Sequence, residues 1–149
     1  VAGVSTLPKA MYKNAIEKGF EVTYDQTYQL LDKAHVAMVT SGTATLETAL
    51  FKVPQVVCYK AHPLTIWIAK AFVKIKFISL VNLIMDKEVV KELIQEDLTS
   101  NKIVGCLSPR SQGTKRDSML NDYIELQKLV GSPGASERVA ENIYAKIKA

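Results

Sequence analysis

From Val1 to Tyr59 the sequence switches repeatedly between short β-rich apolar runs and stretches with helical spacing, and few folds accept that alternation. Val1–Ser5 is predicted as a strand, Pro8–Lys18 as a helix with proline in an early turn, and Gly19 as its stop. Phe20–Thr23 reads as a second strand, a short helix capped by Asp25 runs through Leu31, and His35–Val39 forms a third strand. Thr43–Phe51 is the next helix and Gln55–Tyr59 (QVVCY) the fourth strand. Strands that are apolar on both faces and separated by helices imply a parallel sheet covered on each side, with right-handed crossovers. The expected class is α/β, a doubly wound parallel sheet.

Beyond Tyr59 the pattern becomes more helical. An amphipathic stretch spans Pro63–Lys76, a short extended run Phe77–Val81, and a helix-prone segment Lys87–Gln95. A helix is expected after the cap signal Thr99-Ser100-Asn101, and two longer ones near Thr114–Leu129 and Ser136–Lys148. The turn residues Gly131 to Gly134 separate the last two, so residues 1–130 are expected to form the sheet domain and 131–149 an added C-terminal helix. In that last helix Val139, Ile143 and Ile147 recur every four residues and form one apolar stripe. Folding back onto the sheet or pairing with a second copy, as a homodimer, would each give it a partner.

The 149 residues suffice for one hydrophobic core, and with 48% hydrophobic and 23% charged residues the chain is neither disordered nor a disulfide scaffold. Cys58 and Cys106 lie far apart in sequence with no metal-ligand spacing around them, so both are expected to be free thiols suited to a reducing cytoplasm. His35 and His62 stand alone as well, and neither a metal site nor a cofactor is expected. The net charge of +4 is spread along the chain, which argues against a nucleic-acid partner. No segment reads as a signal peptide or a membrane span. The sequence opens on Val1 directly in a strand pattern, which suggests a piece of a longer protein.

The segment most able to bind something is HVAMVTSGTATLETALFKVP, from His35 to Pro54. A buried strand that ends in Thr40-Ser41-Gly42-Thr43 and turns straight into a helix sets backbone N–H groups at the carboxyl edge of the sheet, where open α/β sheets take ligands. Gly42 allows a diphosphate to approach, and Ser41 and Thr43 add hydroxyls. Plain N-capping would use the same residues. Glu47 lies one turn further on, where a carboxylate could meet two neighbouring ribose hydroxyls; an exposed helix charge is the bland alternative.

The run SGTATLETALFKVPQVVCYKAHPLTIWIAK followed by SLVNLIMDKEVVKELIQE resembles the carboxy-terminal domain of the lipid-A-disaccharide synthases, over about residues 35–97. That resemblance implies the donor half of a GT-B glycosyltransferase: two Rossmann-like domains flank a cleft, and the carboxy-terminal one holds a UDP-sugar donor. It would place the diphosphate at Ser41, Gly42 and Thr43 and the ribose at Glu47. Asn82 matches the Asn of the family's SLPNL phrase and would make a polar contact to donor or cleft. Glu92 and Gln95 match a later motif and would line the same cleft from one face of a helix. Val81 stands where the family usually has proline. The resemblance also implies that the domain's first strand with its Gly-Ser-Arg loop, the acceptor domain and the catalytic base lie outside these residues.

The family reaction would join an acylated glucosamine from the UDP-sugar to an acylated glucosamine phosphate acceptor during lipid A biosynthesis. The segment from His62 to Lys76, with Trp67, Lys70 and Lys74, has the mix of apolar surface and lysine rim of an interfacial helix, or of a buried crossover helix. The first reading implies a cytoplasmic protein peripheral to the inner membrane. A sugar-nucleotide 2-epimerase of related fold and a non-enzymatic α/β signalling module stand as alternatives. The signalling module would need acidic residues at the strand ends, where this sequence has Thr40-Ser41-Gly42.

Overall fold

The computed structural model describes residues 1–61, 76–131 and 134–148. Its strands are β1 (Ala2–Gly3), β2 (Thr23–Tyr24), β3 (Ala37–Thr40), β4 (Gln55–Tyr59) and β5 (Lys91–Ile94). The α-helices among the described residues are α1 (Lys13–Glu17), α2 (Thr27–Lys33), α3 (Thr43–Leu50), α4 (Leu80–Met85), α5 (Ser100–Ser111), α6 (Thr114–Val130) and α7 (Ala135–Lys148). All strand pairs are parallel: β1 pairs with β2, and β3, β4 and β5 form a three-stranded ladder in that order. This is the expected α/β class, with parallel strands joined through helices.

The ladder is built on β4, where Val56 and Val57 are fully buried because strands flank it on both edges and helices cover its faces. Ala49 of α3, Val81 of α4, Val89 and Val90 leading into β5, and Met119, Tyr123 and Leu126 of α6 complete one cluster with Val57. A fully buried side chain of this size contributes about 1.5–3 kcal/mol through the hydrophobic effect, so this cluster dominates the stability of the sheet. Gln55 is one of several polar side chains buried in the core. Its Nε2 donates to the Thr45 carbonyl at 2.9 Å and lies 3.3 Å from the Tyr123 hydroxyl, tying β4 to α3 and α6. Burial pushes the Tyr123 phenol well above its ordinary range.

Several elements differ from expectation. Lys87–Gln95 is not a helix: Lys91–Ile94 pairs with Val56–Tyr59 as β5. Its many Lys and Glu residues favour a helix locally, but burying Val90 and Leu93 against β4 overrides that preference. Phe77–Val81 is not an extended run through its end, because Ser79 caps α4 by accepting from Asn82 N–H and starts the helix at Leu80. Asp25 does not cap α2. It takes a left-handed conformation with φ 55° and instead accepts the Ser5 N–H at 3.1 Å. The strand expected at Val1–Ser5 shrinks to Ala2–Gly3, the one expected at Phe20–Thr23 is displaced to Thr23–Tyr24, and Pro8–Lys18 divides into a 3-10 turn, Lys9–Tyr12, followed by α1. The expected cap at Thr99 is present: its side chain accepts from Lys102 N–H.

Helix α6 ends at Val130 and Gly131 breaks it with φ 87°. Every residue of α7 is exposed, including the stripe Val139, Ile143 and Ile147. No helix among the described residues is long and apolar enough to cross a membrane.

Candidate functional site

The carboxyl end of β3 leads into the Ser41–Gly42 turn and the helix that carries Thr43 and Glu47. Strand β3 ends at Thr40, and Ser41-Gly42 turns the chain into α3. Gly42 has φ 131° and ψ −163°, a conformation open to glycine and strained for any L side chain. Among the described residues no side chain caps α3, and the first N–H groups of any helix, at its positive end, have no carbonyl of a preceding turn to bond. Gly42 and Thr43 are exposed there, and among the described residues nothing lies within 4 Å of where a Cβ on Gly42 would stand.

Ser41 is committed inward: its hydroxyl donates to the Ile78 carbonyl at 2.8 Å. Thr45 and Thr48, also on α3, donate to the Gly42 and Ala44 carbonyls and are buried. Glu47 lies on the opposite side of the helix from these two and stays partly exposed. It opens with Asp25, Thr27, Tyr28 and Gln29 onto a cavity of about 370 Å³. Those four neighbours were not legible as site residues; Asp25 and Thr27 look like ordinary helix-start residues until the fold brings the end of β2 beside α3. Tyr28 is fixed there by stacking on Phe51, with ring centroids 5.3 Å apart. Ser5 lowers the Asp25 carboxyl below its ordinary range, through its side chain and then its backbone N–H.

Asn82, Glu92 and Gln95 lie along β5, Asn82 against the backbone that leads into it, Glu92 within it and Gln95 just past its end. Asn82 is fully buried; its Nδ2 donates to the Val90 carbonyl and Glu92 Oε1, and its Oδ1 accepts from Val89 and Val90 N–H. With both ends of its amide engaged, it holds backbone and presents no open polar group. Glu92 and Gln95 do not share a helix face as expected, since Glu92 is in β5 and Gln95 follows it with φ 52°. Glu92 accepts the N–H groups of Ile78 and Ser79, each at 2.9 Å. The result is a relay: Glu92 holds the Ile78–Ser79 backbone, and that backbone receives the Ser41 hydroxyl. Gln95 holds Ala61 by two bonds at the end of β4.

Trp67, Lys70 and Lys74 lie outside the described residues. Among the described residues no three His, Cys, Asp or Glu side chains gather where they could hold a metal ion. Cys58 and Cys106 are unbridged thiols.

The family described as lipid-A-disaccharide synthetase matches residues 9–144. This chain belongs to the lipid-A-disaccharide synthase family. It is 49% identical over 105 residues to the lipid-A-disaccharide synthase of Psychromonas ingrahamii, covering 70% of this chain and 27% of that protein. The enzyme of the same name from Pseudomonas putida is 39% identical over 127 residues, 83% of this chain and 32% of the relative. One from Synechocystis is 35% identical over 121 residues, covering 79% and 31% respectively. The chain thus spans about a third or less of the curated relatives it matches. The resemblance read from residues 35–97 is thus borne out at the level of the family.

Proposed function

We propose that this chain is the donor-binding part of a glycosyltransferase of lipid A biosynthesis and holds the diphosphate of a UDP-sugar over Ser41, Gly42 and Thr43. The observation that carries the reading is the uncapped start of α3 at an open glycine turn, with Glu47 facing a cavity one turn away. First-turn N–H groups and the helix dipole suit a diphosphate, and they stabilise it further as it becomes the leaving group. Glu47 accepts from the ribose hydroxyls. Asn82, Glu92 and Gln95 serve the donor indirectly, through the backbone they hold.

In this reading the acylated glucosamine phosphate acceptor and the catalytic base belong to the remainder of a protein of the relatives' length. The Trp67, Lys70 and Lys74 segment meets the inner-membrane surface where that acceptor resides, and the Val139, Ile143 and Ile147 stripe pairs with a second copy or with the rest of the enzyme. Calorimetric titration with UDP tests the central claim. Replacing Glu47 by Ala should cost about 1–3 kcal/mol, the penalty for leaving hydroxyls without a partner, or about 5- to 150-fold in Kd. Unchanged affinity in Glu47→Ala would overturn the ribose assignment.

A further inference from the structure

Near its carboxyl end, β4 presents a different side chain to each face of the sheet. Val57 packs into the cluster with α3, α4 and α6, so Cys58, the next residue, points to the opposite face. Its register partner on β5 is Leu93, and directly paired residues of neighbouring strands share a face. Leu93 lines a cavity of about 440 Å³ together with Gly105 and Cys106 of α5. On α5, Ile103, Cys106, Leu107 and Arg110 are partly buried while Lys102, Val104, Gly105 and Ser108 are exposed, and that spacing marks the side turned to the sheet. The two cysteines of the chain therefore stand on the facing surfaces of one strand–helix layer.

That layer has room to close. Every residue of α5 stays at least partly exposed, and the cavity opens beside Cys106 itself. A disulfide needs Cα atoms within about 7 Å, which a helix resting over a void reaches by a small shift toward the sheet. The two thiols already act on each other: after burial, Cys106 is the second cause of the raised Cys58 thiol. A bridge between them would close a loop from residue 58 to residue 106. Within that loop lie Asn82, Glu92 and Gln95, which hold the backbone at Val89–Val90, Ile78–Ser79 and Ala61, and Ile78 is the residue that receives the Ser41 hydroxyl.

We propose that Cys58 and Cys106 form a reversible disulfide that pins α5 to β4, with a low-molecular-weight disulfide of the glutathione class as the oxidant. The Cys106 thiolate, reached through the cavity, attacks one sulfur of that disulfide; the S–S bond breaks, and one small thiol leaves with the proton that Cys106 gave up. The Cys58 thiolate then attacks the Cys106 sulfur of the mixed disulfide, and the second small thiol leaves with the proton from Cys58. Two protein thiols are thereby oxidised by two electrons in all, and one small disulfide is reduced to two thiols. Disulfides in reducing compartments are usually of this transient, redox-sensing kind. The proposal rests on the packing of α5 against the sheet and stands apart from the assignment of the donor.

The test equilibrates the full 149-residue chain with reduced and oxidised glutathione over a series of ratios, in native buffer and in concentrated urea. Because the chain has two cysteines, an internal disulfide has one identity: the intact mass falls by two hydrogens while the protein keeps the size of one chain on a non-reducing gel. At equal glutathione ratio the bridge should be favoured at least about tenfold more in native buffer than in urea, since a bridge that stabilises the fold is stabilised by folding to the same extent. The bridged chain should melt about 5–15 °C higher than the reduced one and return to the reduced value with dithiothreitol. Cys58→Ser should stop at a mixed disulfide on Cys106. The proposal is overturned if the native chain gives only mixed disulfides or intermolecular dimers, or if the bridge forms no more readily in native buffer than in urea. It is also overturned if the bridged chain melts below the reduced one, since closing the bridge would then break the layer.

Discussion

Gln95 and Ala61 close a two-bond ring: Gln95 Nε2 donates to the Ala61 carbonyl at 3.0 Å, and Ala61 N–H donates back to Gln95 Oε1 at 2.8 Å. The amide thereby stands in for the next rung of the sheet, just past the last pair, Tyr59 with Ile94. Gln95→Ala should lower stability by about 1–3 kcal/mol, because both Ala61 groups lose their partner. Gln95→Glu keeps the acceptor and loses the donor, so it should fall between the two in urea unfolding. Equal stability of Gln95→Ala and the parent would remove any holding role for this residue.

Asn82 should be the more sensitive position. Its amide satisfies two N–H groups and one carbonyl of the Val89–Val90 backbone in a fully buried place. Asn82→Ala should cost about 3 kcal/mol or more, since each orphaned buried group carries its own desolvation penalty. Asn82→Asp tests the donor specifically, because a carboxylate would confront the Val90 carbonyl and Glu92. That confrontation raises the new group's folded pKa above its unfolded value of about 3.9. The variant's deficit relative to the parent should therefore be small in acid and grow as pH rises through the unfolded value. A deficit independent of pH would point to a shape effect.

The contrast between β4 and β5 shows what the sequence carries. Gln55–Tyr59 is read to the residue, because a bounded apolar run flanked by strands has one reading. Lys91–Ile94 is missed because half of its residues are charged and the strand exists only through pairing with β4. The same tertiary dependence hides the role of Glu92, whose partners Ile78 and Ser79 lie well upstream. The strand, turn and helix start that carry Gly42, Thr43 and Glu47 are legible because they are local. Asp25, Tyr28 and Gln29 are not, because only the packing of β2 beside α3 brings them to Glu47.

Cys58 should react slowly. Burial first, and the nearby Cys106 second, raise its thiol above the ordinary 9.0. Less thiolate is then present at neutral pH, and thiolate is the nucleophile. Iodoacetamide should modify Cys58 more slowly than a free cysteine at pH 7, with a rate midpoint above 9.0. Cys106→Ser should lower that midpoint only slightly, since burial is the larger cause. A midpoint at or below the ordinary value would show that the thiol is more open than its position beside α5 implies.

Gly42 offers a way to separate backbone strain from obstruction of a ligand. Its φ of 131° with ψ −163° is matched in kind by Gly113, at φ 79° and ψ −167°, which starts α6 away from the carboxyl edge of the sheet. Among the described residues a Cβ at either position meets nothing within 4 Å, so alanine at each adds strain without a clash there. The strain is worth about 1–3 kcal/mol, and for a chain of this size each kcal/mol lowers Tm by about 2–4 °C. Gly42→Ala and Gly113→Ala should therefore lose similar Tm. If a diphosphate sits over the turn at α3, only Gly42→Ala places a methyl in its path, so only that variant should weaken UDP binding. Equal UDP affinity in the two variants would leave Gly42 as a turn residue and move the diphosphate elsewhere along the edge.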